Sequence, residues 1–298
     1  MNNQGLNPPG NLSWDETILF ARRNPEFAKI LHDSYLGVDA AAEAQRFYES
    51  PEYQETLLQV RRYSPMVKTV LDIGAGSGIS SFALSRSGFD VTAVDPDPSE
   101  ITGCGAILKL QTHFHLQNFK TIRASGEKLP FPNEQFDLVY MRQAMHHAND
   151  LSTFIAEAAR VLNPGGYLFA MREHVVFDEN DKLRFLGSHP FQKYYCGENA
   201  FTLNQYLAAF TSAGLTVELV LKYFDSPINY FPRTEAEIKS LPEKFKQEIR
   251  ERAIEKFGMI GKLGITQAIY AQLVSWIYGG PLDERSVEGR MYSFILKK

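Results

Sequence analysis

Residues 70–78 read "VLDIGAGSG": three apolar positions around an aspartate, then glycines at 74, 76 and 78. A short apolar run that stops at alternate glycines predicts a buried strand feeding a tight turn. Glycines there let the backbone adopt dihedrals closed to other residues and approach a ligand closely, so a nucleotide-like cofactor is implied. The dinucleotide fingerprint G-x-G-x-x-G would need glycine at 79, where this chain has Ile79.

Outward from that turn the pattern alternates strands with helices, the signature of a parallel sheet wrapped on both faces. "KTVLDI" is strand one. "GISSFALSRSG" follows with helical spacing and ends at Gly88, a left-handed cap. "DVTAVD", "KTIRAS", "FDLVYM", "YLFAMREHV" and "TVELVLKYF" are strands two to six, and "RMYSFILKK" the seventh. A helix is predicted between Asp150 and Leu162, stopped by "NPGG", and another from Leu203 to Gly214.

The expected division is a helical N-terminal cap over 1–66, a sheet core over 67–225 plus 290–298, and a helical insertion over 226–289. In the insertion, Thr234-x-x-Glu237 and Ser240-x-x-Glu243 read as capping boxes opening two short helices, with Ile238, Leu241, Phe245, Ile249 and Phe257 as their buried stripe. "NPPG" at 7–10 reads as a tail turn.

Composition narrows the function. Apolar residues at 44% and charged residues at 22% suit a globular chain. A net charge of -4 supplies no cationic field for phosphate backbones, which argues against a nucleic-acid partner. Cys104 and Cys196 are too few for a disulfide framework, in keeping with a cytoplasmic location. No signal-peptide pattern opens the chain, and Lys262, Gln267 and Gln272 interrupt its most apolar late segment, so no membrane association is expected.

The glycine turn resembles the first motif of the class I S-adenosylmethionine-dependent methyltransferases, an acid followed by G-x-G-x-G. The resemblance recurs at Asp95, at "GEKLPFPNEQFDLVY" (126–140) and at "RVLNPGG" (160–166). It implies an α/β, doubly wound, seven-stranded Rossmann-like methyltransferase sheet with S-adenosyl-L-methionine as cofactor. It also implies cofactor contacts from Asp72, Gly74, Ala75, Gly76, Gly78, Asp95, Pro96, Ser125, Gly126, Glu127, Met141 and Arg142, with Asp95 on the ribose hydroxyls. Many relatives carry an aspartate where this chain has Ser125, leaving that hydroxyl and the amides of Ser125 and Gly126 for the adenine, or Ser125 as a plain turn residue.

"MRQAMHH" (141–147) follows strand four and "REH" (172–174) ends strand five, so both should face the crevice outside the carboxyl ends of the strands. If the chain turns helical after Met141, Arg142 meets His146 and Gln143 meets His147. Oxygen methylation needs a base to take the hydroxyl proton, and histidine is suited to it near neutral pH. A similar pairing occurs in sugar and natural-product O-methyltransferases of this fold. By that resemblance the base is His147 or His146 and the orienting acid Glu173. The bland readings are a structural histidine pair and an Arg172–Glu173 salt bridge.

Arg142, Arg172, His174, His189 and Tyr195 are expected to contact the acceptor, with Lys193 and Glu198 as further polar groups. No metal is expected, since adjacent helical histidines diverge and no H-x-x-x-H spacing exists. The insertion and the loop "FLGSHPFQKYYCGENAF" (185–201) should lie over the crevice as lids or as homodimer contacts, their aromatics including Phe185, Tyr194, Tyr223, Tyr230, Phe231, Trp276 and Tyr278. Oxygen methylation of a small molecule, a sugar or secondary metabolite, is the expected function. Nitrogen or carbon methylation, or cofactor binding without methyl transfer, are the alternatives.

Overall fold

The computed structural model describes residues 12–298; the "NPPG" turn lies outside them. Helices α1 (Trp14–Arg22), α2 (Ala28–Asp33), α3 (Ala40–Glu49) and α4 (Pro51–Tyr63) precede β1 (Thr69–Ile73). Then come α5 (Ile79–Arg86), β2 (Asp90–Asp95), α6 (Cys104–His113), β3 (Phe119–Arg123), β4 (Phe136–Arg142), α7 (Leu151–Val161) and β5 (Leu162–Val176). After β5 follow α8 (Glu179–Ser188), α9 (Gln192–Tyr195), β6 (Phe201–Thr202), α10 (Leu203–Ser212) and β7 (Thr216–Leu221). Finally α11 (Pro227–Tyr230), α12 (Glu235–Phe257) and α13 (Gly264–Tyr278) lead to β8 (Met291–Lys297).

The strand order is β3-β2-β1-β4-β5-β8-β7, with β8 antiparallel to both neighbours and the others parallel. That path holds the seven expected strands. The two-residue β6, which pairs Phe201 with Val175 beside β5, is an addition the sequence pattern did not signal.

Alternation along the strands divides the core into two layers. Val70, Leu138 and Tyr140 pack with Leu57, Phe82 and Ile107 on one face of the sheet. Leu71, Val139 and Met141 pack with Ile155, Tyr206 and Phe210 on the other. Asp72 shares a face with Val70, is buried, and accepts from Ser81 Oγ of α5 at 2.6 Å. Burial pushes its carboxyl up to about 7.

The order reverses between β1 and β4, and a crevice opens there beyond the carboxyl ends of the strands. Gly74 and Gly76, at φ +70° and +56°, carry the chain round the mouth of β1 in a conformation that costs other residues on the order of 1 kcal/mol. At the end of β5 the register with β8 shifts between Ala170 and Glu173, and Arg172 is left-handed at φ +59°. This bulge re-aims the residues that follow it.

The insertion departs from expectation in two respects. Thr234 and Glu237 form a capping box, but Ser240 lies inside α12, where its hydroxyl donates to the Glu237 carbonyl. One helix with Pro242 in its interior replaces the two short ones, and Phe257 of the supposed stripe is exposed. Thr234→Ala should lower unfolding free energy by about 1 kcal/mol; urea denaturation of the two proteins checks this, and equal midpoints would refute the cap's contribution. Helix α13 presents Ile265, Ile269 and Trp276 to solvent. None of the described helices is long and apolar enough to cross a membrane.

Candidate active site

A cavity of about 420 Å³ occupies the crevice. Its floor is Gly74, Ala75 and Gly76 after β1, Asp95 and Pro96 at the end of β2, Ser125, Gly126 and Glu127 after β3, and Arg142, His146 and His147 at and beyond the end of β4. His174, His189, Tyr195 and Glu198 complete one wall. Of the cofactor, catalytic and acceptor positions named from the sequence, Asp72, Gly78, Met141, Arg172, Glu173 and Lys193 do not line it. Asp72 and Met141 are buried in opposite core layers, Gly78 starts α5 against Ile107, and Arg172 points away.

The Asp95 carboxylate accepts from the amides of Gly76 at 2.8 Å and Asp97 at 2.9 Å. It thereby ties the glycine turn to the end of β2 while still lining the cavity. Burial pushes it up to about 6, against the lowering effect of those two amides. Glu127 accepts from the Asn149 and Asp150 amides, joining the turn after β3 to the start of α7.

After Met141 the chain does not become an α-helix. β4 runs on to Arg142, and only Met145–His147 form a single 3-10 turn. Arg142 therefore meets Glu52 of α4, at 2.5 Å through Nε and 3.2 Å through Nη2, rather than His146. Arg172, whose neighbour Glu173 faces elsewhere, donates to the Ile228 and Phe231 carbonyls and anchors α11. The Arg172–Glu173 salt bridge is absent from the ion pairs among the described residues.

Glu173 organises the turn. Its side chain is fully buried, accepting from the amides of Ala144 (2.9 Å), Met145 (3.2 Å) and His146 (3.1 Å) and pairing with His146 Nδ1 at 2.8 Å. Burial pushes its carboxyl up to about 7, opposed by those amides. His146 is buried, and loss of solvent holds its pKa well below the usual histidine value. His147 is exposed at the cavity. Its Nδ1 donates to the Gly197 carbonyl at 3.1 Å, since a carbonyl can only accept. Desolvation of its ring lowers its pKa too.

The roof matches expectation in the loop 185–201 but not in the insertion. No lining residue comes from 226–289; the cover is Trp14 and Ile30 from the N-terminal helices and Leu36 from the turn after α2, with Phe191 and Tyr195 from the segment after β5. The β7–β8 connection does leave from the cofactor end of the sheet. It does so at the β8–β7 edge, with β5 between that pair and the β1/β4 pair at the reversal. Of the named aromatics only Tyr195 lines the cavity, and Trp276 and Tyr278 are 79% and 72% exposed. Asp15 of α1 accepts from the Ser99 and Thr102 hydroxyls, fastening the roof to the segment after β2. Glu52 was not foreseen, because an acid in a helix's first turn reads as a dipole partner.

A doubly wound sheet with a glycine turn at its reversal and a strand-end acid beside it defines a class I nucleotide-cofactor enzyme fold. The family profile described as methyltransferase domain matches residues 71–170. A ubiquinone biosynthesis O-methyltransferase from Pseudomonas fluorescens is 30% identical over 178 residues, covering 54% of this chain and 70% of that protein. A demethylmenaquinone methyltransferase from Tropheryma whipplei is 34% identical over 126 residues, 42% of this chain and 47% of that one. The chain thus spans about half the length of the latter relative. A geranyl diphosphate methyltransferase structure shares the fold, with a TM-score of 0.54 at 14% identity, over 83% of this chain and 77% of that one. The chain belongs to the class I S-adenosylmethionine-dependent methyltransferases, and S-adenosyl-L-methionine is the family's cofactor.

Proposed function

We propose that the chain transfers a methyl group to a hydroxyl of a small molecule, with His147 taking the hydroxyl proton. The observation that carries this reading is the His147 ring itself. It lines the same cavity as the glycine turn and Asp95, and with Nδ1 spent on Gly197 its Nε2 is left as a proton acceptor. Bound S-adenosylmethionine supplies an electrophilic methyl carbon on a sulfonium. With that cofactor held at the glycine turn and Asp95, His147 would take the proton that the acceptor hydroxyl gives up on methylation. Glu173 acts through the turn, holding the backbone that presents His147; His146 packs between them. The roof of Trp14, Leu36, Phe191 and Tyr195 excludes water and selects the acceptor. The name of the Pseudomonas relative and the net negative charge support a small acceptor over nucleic acid.

Methyl-labelled S-adenosylmethionine incubated with the protein and a fractionated cell extract tests the reading. Label on an oxygen of a small molecule is expected; label on nitrogen, carbon or a macromolecule would overturn it.

Asp95 is assigned the ribose hydroxyls, which an ionised carboxylate binds through charge-assisted hydrogen bonds. Asp95→Ala should weaken S-adenosylmethionine binding by about 10- to 100-fold. The ionised form is the acceptor, so wild-type affinity should hold above pH 6 and fall as the pH drops through about 6. Calorimetric titration at several pH values reads both effects, and affinity indifferent to the substitution would remove the assignment.

A further inference from the structure

We propose that His146, His174 and Glu198 form a binding site for a first-row divalent transition-metal ion, open to the cavity. The inference rests on the proposed function only for what the metal would face, an oxygen-bearing acceptor. The site itself is argued from donor and acceptor accounting.

A ring nitrogen of each histidine and a carboxylate oxygen of Glu198 lie within 4.8 Å of one another. The other nitrogen of each ring is already committed. His146 Nδ1 is at 2.8 Å from Glu173, whose oxygens also accept three backbone amides, so that nitrogen donates. His174 Nδ1 is at 3.2 Å from the Gly289 carbonyl, which can only accept, so it donates as well. Both rings are thereby fixed in the tautomer that leaves Nε2 as a bare lone pair. Glu198 Oε2 stands 3.9 Å from His146 Nε2, and its side chain is only 6% exposed.

Two ring nitrogens with bare lone pairs and the Glu198 carboxyl therefore converge in a largely buried corner. Buried acceptors that face only one another are costly, and what relieves them is a cation. No hydrogen bond to the Glu198 carboxylate occurs among the described residues. His189 Nε2 lies 3.9 Å from its other oxygen, and His189 Nδ1 is buried without a partner, leaving a further nitrogen at the rim.

Two imidazoles and one carboxylate with positions left open suit iron, zinc, cobalt or manganese better than magnesium or calcium, which prefer all-oxygen sets. The Glu173–His146 hydrogen bond is the outer-shell support that metal-binding histidines use to fix ring orientation and raise basicity. The present spacing is wider than the about 3.3 Å between ligand atoms that bonds of about 2.1 Å require. Glu198 sits in the loop after α9, and metal binding would draw the three groups together. All three residues line the cavity that holds the glycine turn, so the open positions face the acceptor.

Cobalt(II) titration of the metal-stripped full chain tests the site without any acceptor or methyl transfer. The expected result is one bound ion per chain with visible ligand-field absorption. Glu198→Gln and His174→Gln should each weaken binding by about 10- to 100-fold. Both keep side-chain volume, and thermal melts of the metal-free variants confirm that they are folded. Absence of binding to the wild-type chain, or binding equally strong in both folded variants, overturns the proposal. Zinc competing for the same absorption supports it, whereas magnesium competing equally well would overturn the ligand class. Because the readout is spectroscopic, a failed site and a failed methyl-transfer reading remain distinguishable.

Discussion

His147→Ala should lower kcat by about 100- to 10,000-fold, the usual contribution of a positioned base, which corresponds to about 3–5 kcal/mol of barrier. The ring is exposed at the cavity and makes one hydrogen bond to the rest of the chain, to the Gly197 carbonyl. Its removal therefore leaves the turn after β4 in place, since that turn is held by Glu173 through three backbone amides. S-adenosylmethionine affinity should accordingly change little, and the loss should appear in kcat rather than in cofactor binding. His147→Gln, which retains a polar side chain without a useful base, should be nearly as slow. Single-turnover rates with saturating cofactor provide the check. A variant that transfers methyl at the wild-type rate would show that the acceptor needs no base from this residue.

Glu173→Ala should be the most destabilising change at the site, at about 4 kcal/mol. The carboxylate is fully buried and serves three amides and a ring nitrogen. Deleting it strands four buried donors, each worth about 1–3 kcal/mol when unsatisfied, with part of the loss recovered by relaxation. Glu173→Gln keeps the volume and one acceptor oxygen, so its cost should be smaller, although its amide hydrogens face donors. Urea denaturation of the three proteins orders them wild type, Gln, Ala. An alanine variant as stable as the wild type would mean that the turn finds other partners. Activity should fall in both variants because His147 is presented by the same turn, and in the better-folded Gln variant that loss separates positioning from folding.

The parts of this molecule legible in the sequence are those specified by neighbouring residues. Each of the seven long strands was visible as a short apolar run, and the glycine turn as a departure from it. β2 was read to its ends, Asp90–Asp95. Local pattern was less reliable where two signals competed. Ser240 and Glu243 have capping spacing, but the helix begun at Thr234 was already running and absorbed them. Contacts between distant residues were invisible. Arg142 meets Glu52 across 90 positions, and nothing within either segment names the other. The corner formed by His146, His174 and Glu198 depends on the bulge at Arg172 and on the path of the loop after α9. A search for metal spacing along one helix could not find it. The crevice wall follows from strands four and five being neighbours; of the two segments expected over the crevice, the loop after strand five does line it and the insertion does not, because edge position cannot be read from strand count alone.

The roof has a consequence for how this chain divides its labour. The residues that match the methyltransferase family, 71–170, contain the glycine turn, Asp95 and both adjacent histidines. Trp14, Ile30, Leu36, Phe191 and Tyr195 lie outside that stretch. On the proposed reading, cofactor handling and acceptor choice would fall largely to different portions of the polypeptide. Exchanging 12–36 for the corresponding segment of a relative would be a transplant of taste, whereas 189–198 also carries Gly197 and Glu198, which face His147 and His146.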